Sequence, residues 1–301
     1  MREEAARRGN GRRTHLAVGA LLTGALVWGV LWYPYRVLAG LGISGIAASA
    51  LTYAVALALA LVFWRRALAA LRPSWLLAAI GLAGAACNMG YVLATLHGEV
   101  MRVLLLFYLA PLWTILLARW WLGEQLGVWG LAVVGLSLGG AAAMLWHPAM
   151  GLPWPRNGAE WLGLASGFFF ACSNVLSRRA QALSIEVKSV AMFVGALVIS
   201  GALLLTGWGS MQWPQSGAGV LWLLGIGVIL MLVNRVVQFG LHHTAANRAI
   251  VILLSELVFA AISAWFLAGE TMGAREWLGG AMIAAASLLS TRLEARVEAA
   301  A

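Results

Sequence analysis

The chain alternates between long apolar runs and short polar breaks. Charge-free stretches cover residues 16–35, 37–64, 73–98 and 125–155. The run 189–234 is long enough for two crossings, with a break at GWGSMQWPQSG. A helix needs about 20 apolar residues to cross the hydrocarbon core. Shorter stretches at 103–118, 161–177, 257–269 and 277–291 reach that length once a flanking Arg or Glu is included. Ten spans follow, at 16–37, 41–64, 74–96, 100–120, 126–146, 159–178, 187–206, 217–240, 247–268 and 276–292. The period-2 alternation of a membrane barrel is absent, so helices are the spanning element. The expected fold class is an all-α integral membrane protein with ten transmembrane helices.

Composition agrees. Of 301 residues, 62% are hydrophobic and 10% charged, and mean hydropathy is +0.87. A water-soluble domain keeps about a quarter of its residues charged. The net charge of +9 raises the question of nucleic acid, and its placement answers against it. Arg2, Arg7, Arg8, Arg12 and Arg13 precede the first span, and Arg65, Arg66, Arg72, Arg178, Arg179, Lys188, Arg292 and Arg296 fall in loops or ends of one side. With both termini inside, 16 of the 20 basic residues lie on the cytoplasmic side and only Arg36, Arg102, Arg156 and Arg275 on the other, as the positive-inside rule requires. Residues 16–37 are read as a retained first span, because no convincing small-x-small cleavage site follows. Cys87 and Cys172 both fall inside spans, which argues against a disulfide framework or a cysteine metal site. No cofactor is expected.

The chain also repeats. A shift of 146 residues lays Asn88 on Asn234, His97 on His243, Arg102 on Arg248 and Gly123–Glu124 on Gly269–Glu270. A shift of 142 lays Trp28 on Phe170, Trp32 on Asn174 and Arg36 on Arg178. Each half then holds five spans. Five is odd, so the second half enters the membrane inverted, an architecture found in secondary transporters with a midplane site.

The stretches YLAPLWTILLARWWLGEQLGVWGLAVVGLSLGG and LLSELVFAAISAWFLAGETMGAREWLGGAMIAAASLL, with the WG pair at Trp28–Gly29, resemble the EamA-type repeat of the drug/metabolite transporter superfamily. The resemblance covers about residues 16–293. It implies a division into a basic cytoplasmic segment 1–15, a first EamA-like repeat 16–146, a periplasmic linker 147–158, a second repeat 159–293 and a cytoplasmic tail 294–301. It implies a central cavity lined by spans one, three, four, six, eight and nine. The members resembled are bacterial inner-membrane exporters of metabolites and drugs, some of amino acids or amino-acid-derived metallophores. One departure is Glu256–Leu257, where the family commonly has Glu-Pro, whereas the first copy keeps Pro111. A kink in span nine therefore loses its proline.

Polar groups inside spans mark the candidate site, since facing lipid would cost free energy. Asn234, Gln238 and His242 share one face of span eight, and Asn88, Tyr91 and Thr95 share one face of span three. They either bond helices together or line a cavity, and the like placement of Asn88 and Asn234 favours the cavity. Trp28 and Trp32 share a stripe with Tyr35 and Arg36, as do Phe170 and Asn174 with Ser166 and Ser177. Trp75, Trp120, Trp121, Trp154 and Trp213 suit the interfacial belt. Trp28 and Trp32 lie deeper, which favours substrate contact, and Tyr108 joins the candidate substrate contacts. Arg102 and Arg248 each open a helix whose N-terminus is already positive, so each needs an anionic partner. Structural or lipid pairing suits Arg102. For Arg248 a substrate carboxylate is as good, and Glu256 is a further, long-reach partner. Glu256 is the deepest carboxylate. Its neutral form is the cheaper one in the membrane, so it is a candidate for proton coupling or for a structural hydrogen bond. Glu124 and Glu270 lie at helix ends as repeat markers. The glycines Gly135, Gly139–Gly140 and Gly279–Gly280 suggest close packing of spans five and ten, within one copy or between two.

The expected function is an inner-membrane exporter of small amphipathic metabolites, amino acids and their derivatives foremost, working by alternating access as a monomer or homodimer in lipid, with protons as a candidate coupling ion; the alternative is an importer or exchanger of another small metabolite, or a drug efflux protein. His97, His147 and His242–His243 lack the companions of a metal enzyme. A channel would call for oligomeric rings or a filter motif.

Overall fold

The computed structural model describes residues 2–69, 74–151, 154–269 and 272–300. Among these it is helical, with thirteen α-helices, a short 3-10 turn at Pro148–Met150 and no strand. The helices are α1 (Arg2–Gly40), α2 (Gly45–Phe63), α3 (Arg65–Ala69), α4 (Trp75–His97), α5 (Val100–Phe107), α6 (Ala110–Leu122) and α7 (Val128–Leu145) in the first half. The second half holds α8 (Gly158–Arg179), α9 (Ile185–Leu205), α10 (Gly217–His243), α11 (Ala246–Leu253), α12 (Ser255–Ala268) and α13 (Ala274–Ala300). Nine stretches of the described residues are long and apolar enough to cross a membrane. The tenth expected span, 276–292, falls inside α13. Two of the nine, Arg102–Leu122 and Ala246–Ala268, are each assembled from two helices.

Local sequence explains where the helices begin and stop. Ser44, Ser74, Asn157, Ser184 and Ser216 cap α2, α4, α8, α9 and α10, each side chain accepting from a backbone N–H three residues on. Gly123 and Gly269 close α6 and α12 in the left-handed conformation, at φ +70° and +68°. This explains the glycine of each repeated Gly-Glu pair: only glycine takes that conformation without cost, and it ends both helices alike. Two ends differ from expectation. Helix α1 begins at Arg2 and α13 runs to Ala300, so helix extends past the apolar runs at both termini. The extra helix α3 follows α2, while Arg72 and Glu270 lie outside the described residues.

Span nine breaks although it lacks the proline. Helix α11 ends at Leu253 and α12 starts at Ser255, with Leu257 N bonded to Leu254 O at 3.1 Å, an i to i+3 turn. The first half breaks at the corresponding place, where Leu109 N bonds Leu106 O and Leu112 N bonds Leu109 O. Backbone tightening makes the second break without help from a ring.

The packing is reciprocal. Helix α4 lies against α8 and α9, and α10 against α1 and α2. Helices α5 and α6 lie against α8, and α11 and α12 against α1. The pairs α2 with α9 and α7 with α13 complete the pattern. The first two helices of each half thus pack mainly on the other half. At the α7–α13 crossing a side chain on Gly140 would sit 2.7 Å from the carbonyl oxygen of Gly279. The close packing suggested at Gly140 and Gly279 is therefore internal to one chain, whereas a side chain on Gly135 would meet nothing within 4 Å.

Large apolar side chains cover the outside: Leu205 is 90% exposed and Val128 83%. Water would not tolerate such a surface, and lipid does. Trp75, Trp120, Trp154 and Trp213 stand on this surface. Trp121 is half-buried, stacked on Trp120 and packed against Leu176 and Ala180.

Candidate functional site

Four aromatic rings meet in the interior. Tyr91 of α4, Phe107 at the end of α5, Tyr108 in the break after it and Phe170 of α8 converge on Phe107, with ring centroids 5.3, 5.3 and 5.6 Å away. The break in span four makes this possible, since it turns Tyr108 away from the α5 helical path. Such edge-to-face and tilted pairs are favourable ring geometries. Sequence reasoning selected three of the four. Phe107 was missed because nothing in its local pattern distinguishes it from the leucines that precede it, Leu104, Leu105 and Leu106.

Glu256 in the first turn of α12 stands beside this cluster, within electrostatic range of Cys87, Tyr91 and Tyr108. Cys87 is in turn within range of Tyr53, and Tyr53 of Tyr35, whose hydroxyl bonds Thr52 Oγ1 at 2.9 Å. Glu256 is partly exposed, and among the described residues it makes no hydrogen bond or ion pair. It is therefore not the partner of Arg248. Next to Cys87 on α4, Asn88 leaves its buried Oδ1 without a partner among the described residues.

Helix α1 closes one side. A side chain on Gly29 would come 2.7 Å from the carbonyl oxygen of Glu256 and 2.8 Å from Phe259 Cβ, so α1 and α12 touch through backbone. Trp28 and Trp32 flank that contact, both half-buried. Trp32 spends its N–H on Ser263 Oγ at 2.8 Å, and Ser263 donates to the carbonyl of Gly29 at 2.9 Å. That leaves the faces of the indoles, rather than the Trp32 N–H, for any ligand.

The remaining candidates lie apart from the rings. Asn234 is buried and donates to Leu230 O of its own helix at 3.0 Å. Gln238 is buried and donates to Met192 Sδ at 3.1 Å, while its Oε1 has no partner. Asn174 is buried one turn beyond Phe170, its Nδ2 unpartnered. Arg248 lines a separate cavity of about 310 Å³ with Glu124, Gln125, Asn247 and Ser290, and none of the four rings lines it. Glu124 there accepts from Ala246 N at 3.0 Å and from Asn247 N at 3.3 Å, capping α11. His97 and His243 each bond the carbonyl four residues back in their own helix.

Arg102 finds its anion in Glu160, which sequence reasoning did not select. The two form a two-bond ion pair at 2.8 and 2.9 Å, and Arg102 also donates to Trp154 O at 3.0 Å. The signal was available: Glu160 lies in the first turn of a span, and Asn157 caps that turn.

Residues 157–292 match the EamA-like transporter family. A protein of Archaeoglobus fulgidus described as an uncharacterized transporter is 30% identical over 203 residues, 67% of this chain and 71% of that protein. A crystal structure at 18% identity superposes with a TM-score of 0.77, covering 92% of this chain and 98% of that one. At that identity the likeness speaks for the fold.

Proposed function

This chain belongs to the EamA-like transporter family and is a multi-pass membrane transporter, and on that premise we propose that it is a secondary carrier exporting small amphipathic metabolites, amino acids and their derivatives foremost, across a bacterial cytoplasmic membrane by alternating access. The observation that carries this reading is Glu256, partly exposed and without a bonding partner, beside Tyr91, Tyr108 and Phe107. A lone carboxylate next to aromatic faces attracts an ammonium group, by charge and by cation–π contact, while the rings accept an apolar side chain. An aromatic amino acid or a derivative carries both features.

Two halves of five spans with reciprocal packing support an inverted repeat, in which one half rocks against the other around a shared site. The basic residues support an orientation with both termini in the cytoplasm. A carboxylate that loses its charge on taking up a proton would release an ammonium, which supplies a coupling step at Glu256.

Proteoliposomes test the reading. They are loaded with labelled phenylalanine, tryptophan and smaller amino acids, with and without an imposed proton gradient. Saturable flux that is accelerated by unlabelled substrate on the opposite side supports a carrier. Flux that is unsaturable and indifferent to countertransport sinks it.

A further inference from the structure

Lys188 lies in the first turn of α9 with no exposed surface, among the largest fully buried side chains of the described residues. Its ammonium donates to the carbonyl of Ser177 at 3.0 Å. The ends of α8 and α10 meet it there. Arg178 and His242 are close enough for the three groups to repel one another as cations, and Arg178 is tied to the carbonyl of His242.

Among the described residues no carboxylate pairs with this charge. Helices α2, α3, α4 and α10, all packed on α9, contain neither Asp nor Glu. Glu160 of α8 lies at the far end of that helix, bonded to Arg102. Glu186 of α9 is paired with Arg235 at 3.1 Å. A buried ammonium without a counter-ion is costly. Hydrogen-bonding atoms in the last two turns of α8 are also unspent among the described residues. Ser173 Oγ, Asn174 Nδ2 and Ser177 Oγ have no partner, and the three residues are 2%, 5% and 0% exposed. Ser173 and Ser177 lie one turn apart on α8 with Asn174 next to Ser173, and Ser177 stands at Lys188. On α4, a side chain on Gly84 would meet both Ser173 Oγ and Met192, so the same layer is closed by a position without a side chain.

We propose that the junction of α8, α9 and α10 binds a compact monovalent anion, free chloride or the carboxylate of a small zwitterion. Lys188 supplies the charge, and Ser173, Asn174 and Ser177 donate hydrogen bonds. Arg178 and His242 raise the positive potential at its mouth. The site is distinct from the aromatic cluster and its occupancy is read without transport, so its failure leaves the carrier reading untouched.

The full-length protein in neutral detergent is titrated while its tryptophan fluorescence follows thermal unfolding. Sodium chloride, sodium acetate, phenylalanine and phenylalaninamide are compared with the sodium salt of a bulky sulfonate at equal ionic strength. Mass action gives a rise in Tm of about 3 °C for each tenfold increase in a bound anion past saturation. The rise is lost in Lys188→Met and reduced in Ser177→Ala and Asn174→Ala, which keep the charge. A rise with chloride assigns the site to the free ion, and a rise with phenylalanine but not its amide assigns it to a substrate carboxylate. The proposal is overturned if no anion exceeds the sulfonate control, or if Lys188→Met responds as the wild type does. Should Lys188→Met not fold, a full response in both Ser177→Ala and Asn174→Ala overturns it instead.

Discussion

Arg102 and Glu160 face each other through two hydrogen bonds, 2.8 and 2.9 Å, with 4% and 2% of their surfaces exposed. The pair joins the N-terminus of α5 to the first turn of α8, 58 residues later. Glu160 also accepts from Arg156 N and Asn157 Nδ2, so its carboxylate is held by charge and by backbone. It offsets a cation that a helix N-terminus would otherwise repel.

Glu160→Gln therefore leaves a buried guanidinium without its charge. The expected loss of stability is about 3 kcal/mol, at the low end for a broken buried pair because loop residues cover it. Chemical unfolding in detergent measures it. The double change Arg102→Met with Glu160→Met is expected to recover most of the loss. A double variant no more stable than the single one would show that the pair does not act as a unit.

Glu124 binds two backbone N–H groups that open α11. Glu124→Ala strands them and is expected to cost about 1–3 kcal/mol. Glu124→Gln keeps one acceptor oxygen and should lose less. Equal losses for both would argue that charge, and not capping, gives Glu124 its value.

Glu256→Gln fixes the side chain in a neutral form that resembles the protonated acid. Transport by this variant should no longer respond to a proton gradient, while thermal unfolding stays close to wild type because no hydrogen bond or ion pair is lost. An unaltered pH response would remove Glu256 from proton coupling.

Gly140 has no room for a side chain against Gly279 and Ile283, whereas nothing lies within 4 Å of a side chain on Gly135. Gly140→Val should destabilise by about 1–3 kcal/mol or more through overpacking. Gly135→Ala should be neutral or slightly stabilising, since alanine favours helix. The two thermal unfolding curves side by side decide the matter. A harmless Gly140→Val would mean that α7 and α13 do not cross here.

Much of the fold was legible. Each expected span fell on helix, and the Gly-Glu repeat became two glycines in one conformation. The break in span nine was not legible, because proline is only one way to interrupt a helix and the bonding at Leu254 leaves no mark in composition. The site was half legible. Tyr91, Tyr108, Phe170 and Glu256 come together, but Arg248 lies in another cavity. Phe107 joined them from a position that looked ordinary.

The sequence by itself determined the solvent and the secondary structure. Hydropathy is a property of a segment, and a run of apolar residues in lipid must satisfy its backbone bonds as helix whatever surrounds it. Only the tertiary structure decided the partners: Arg102 with Glu160, Glu124 with the start of α11, Trp32 with Ser263 across 231 residues of chain. Which face of one helix meets which face of another depends on the packing of many side chains at once, and no single segment carries that information.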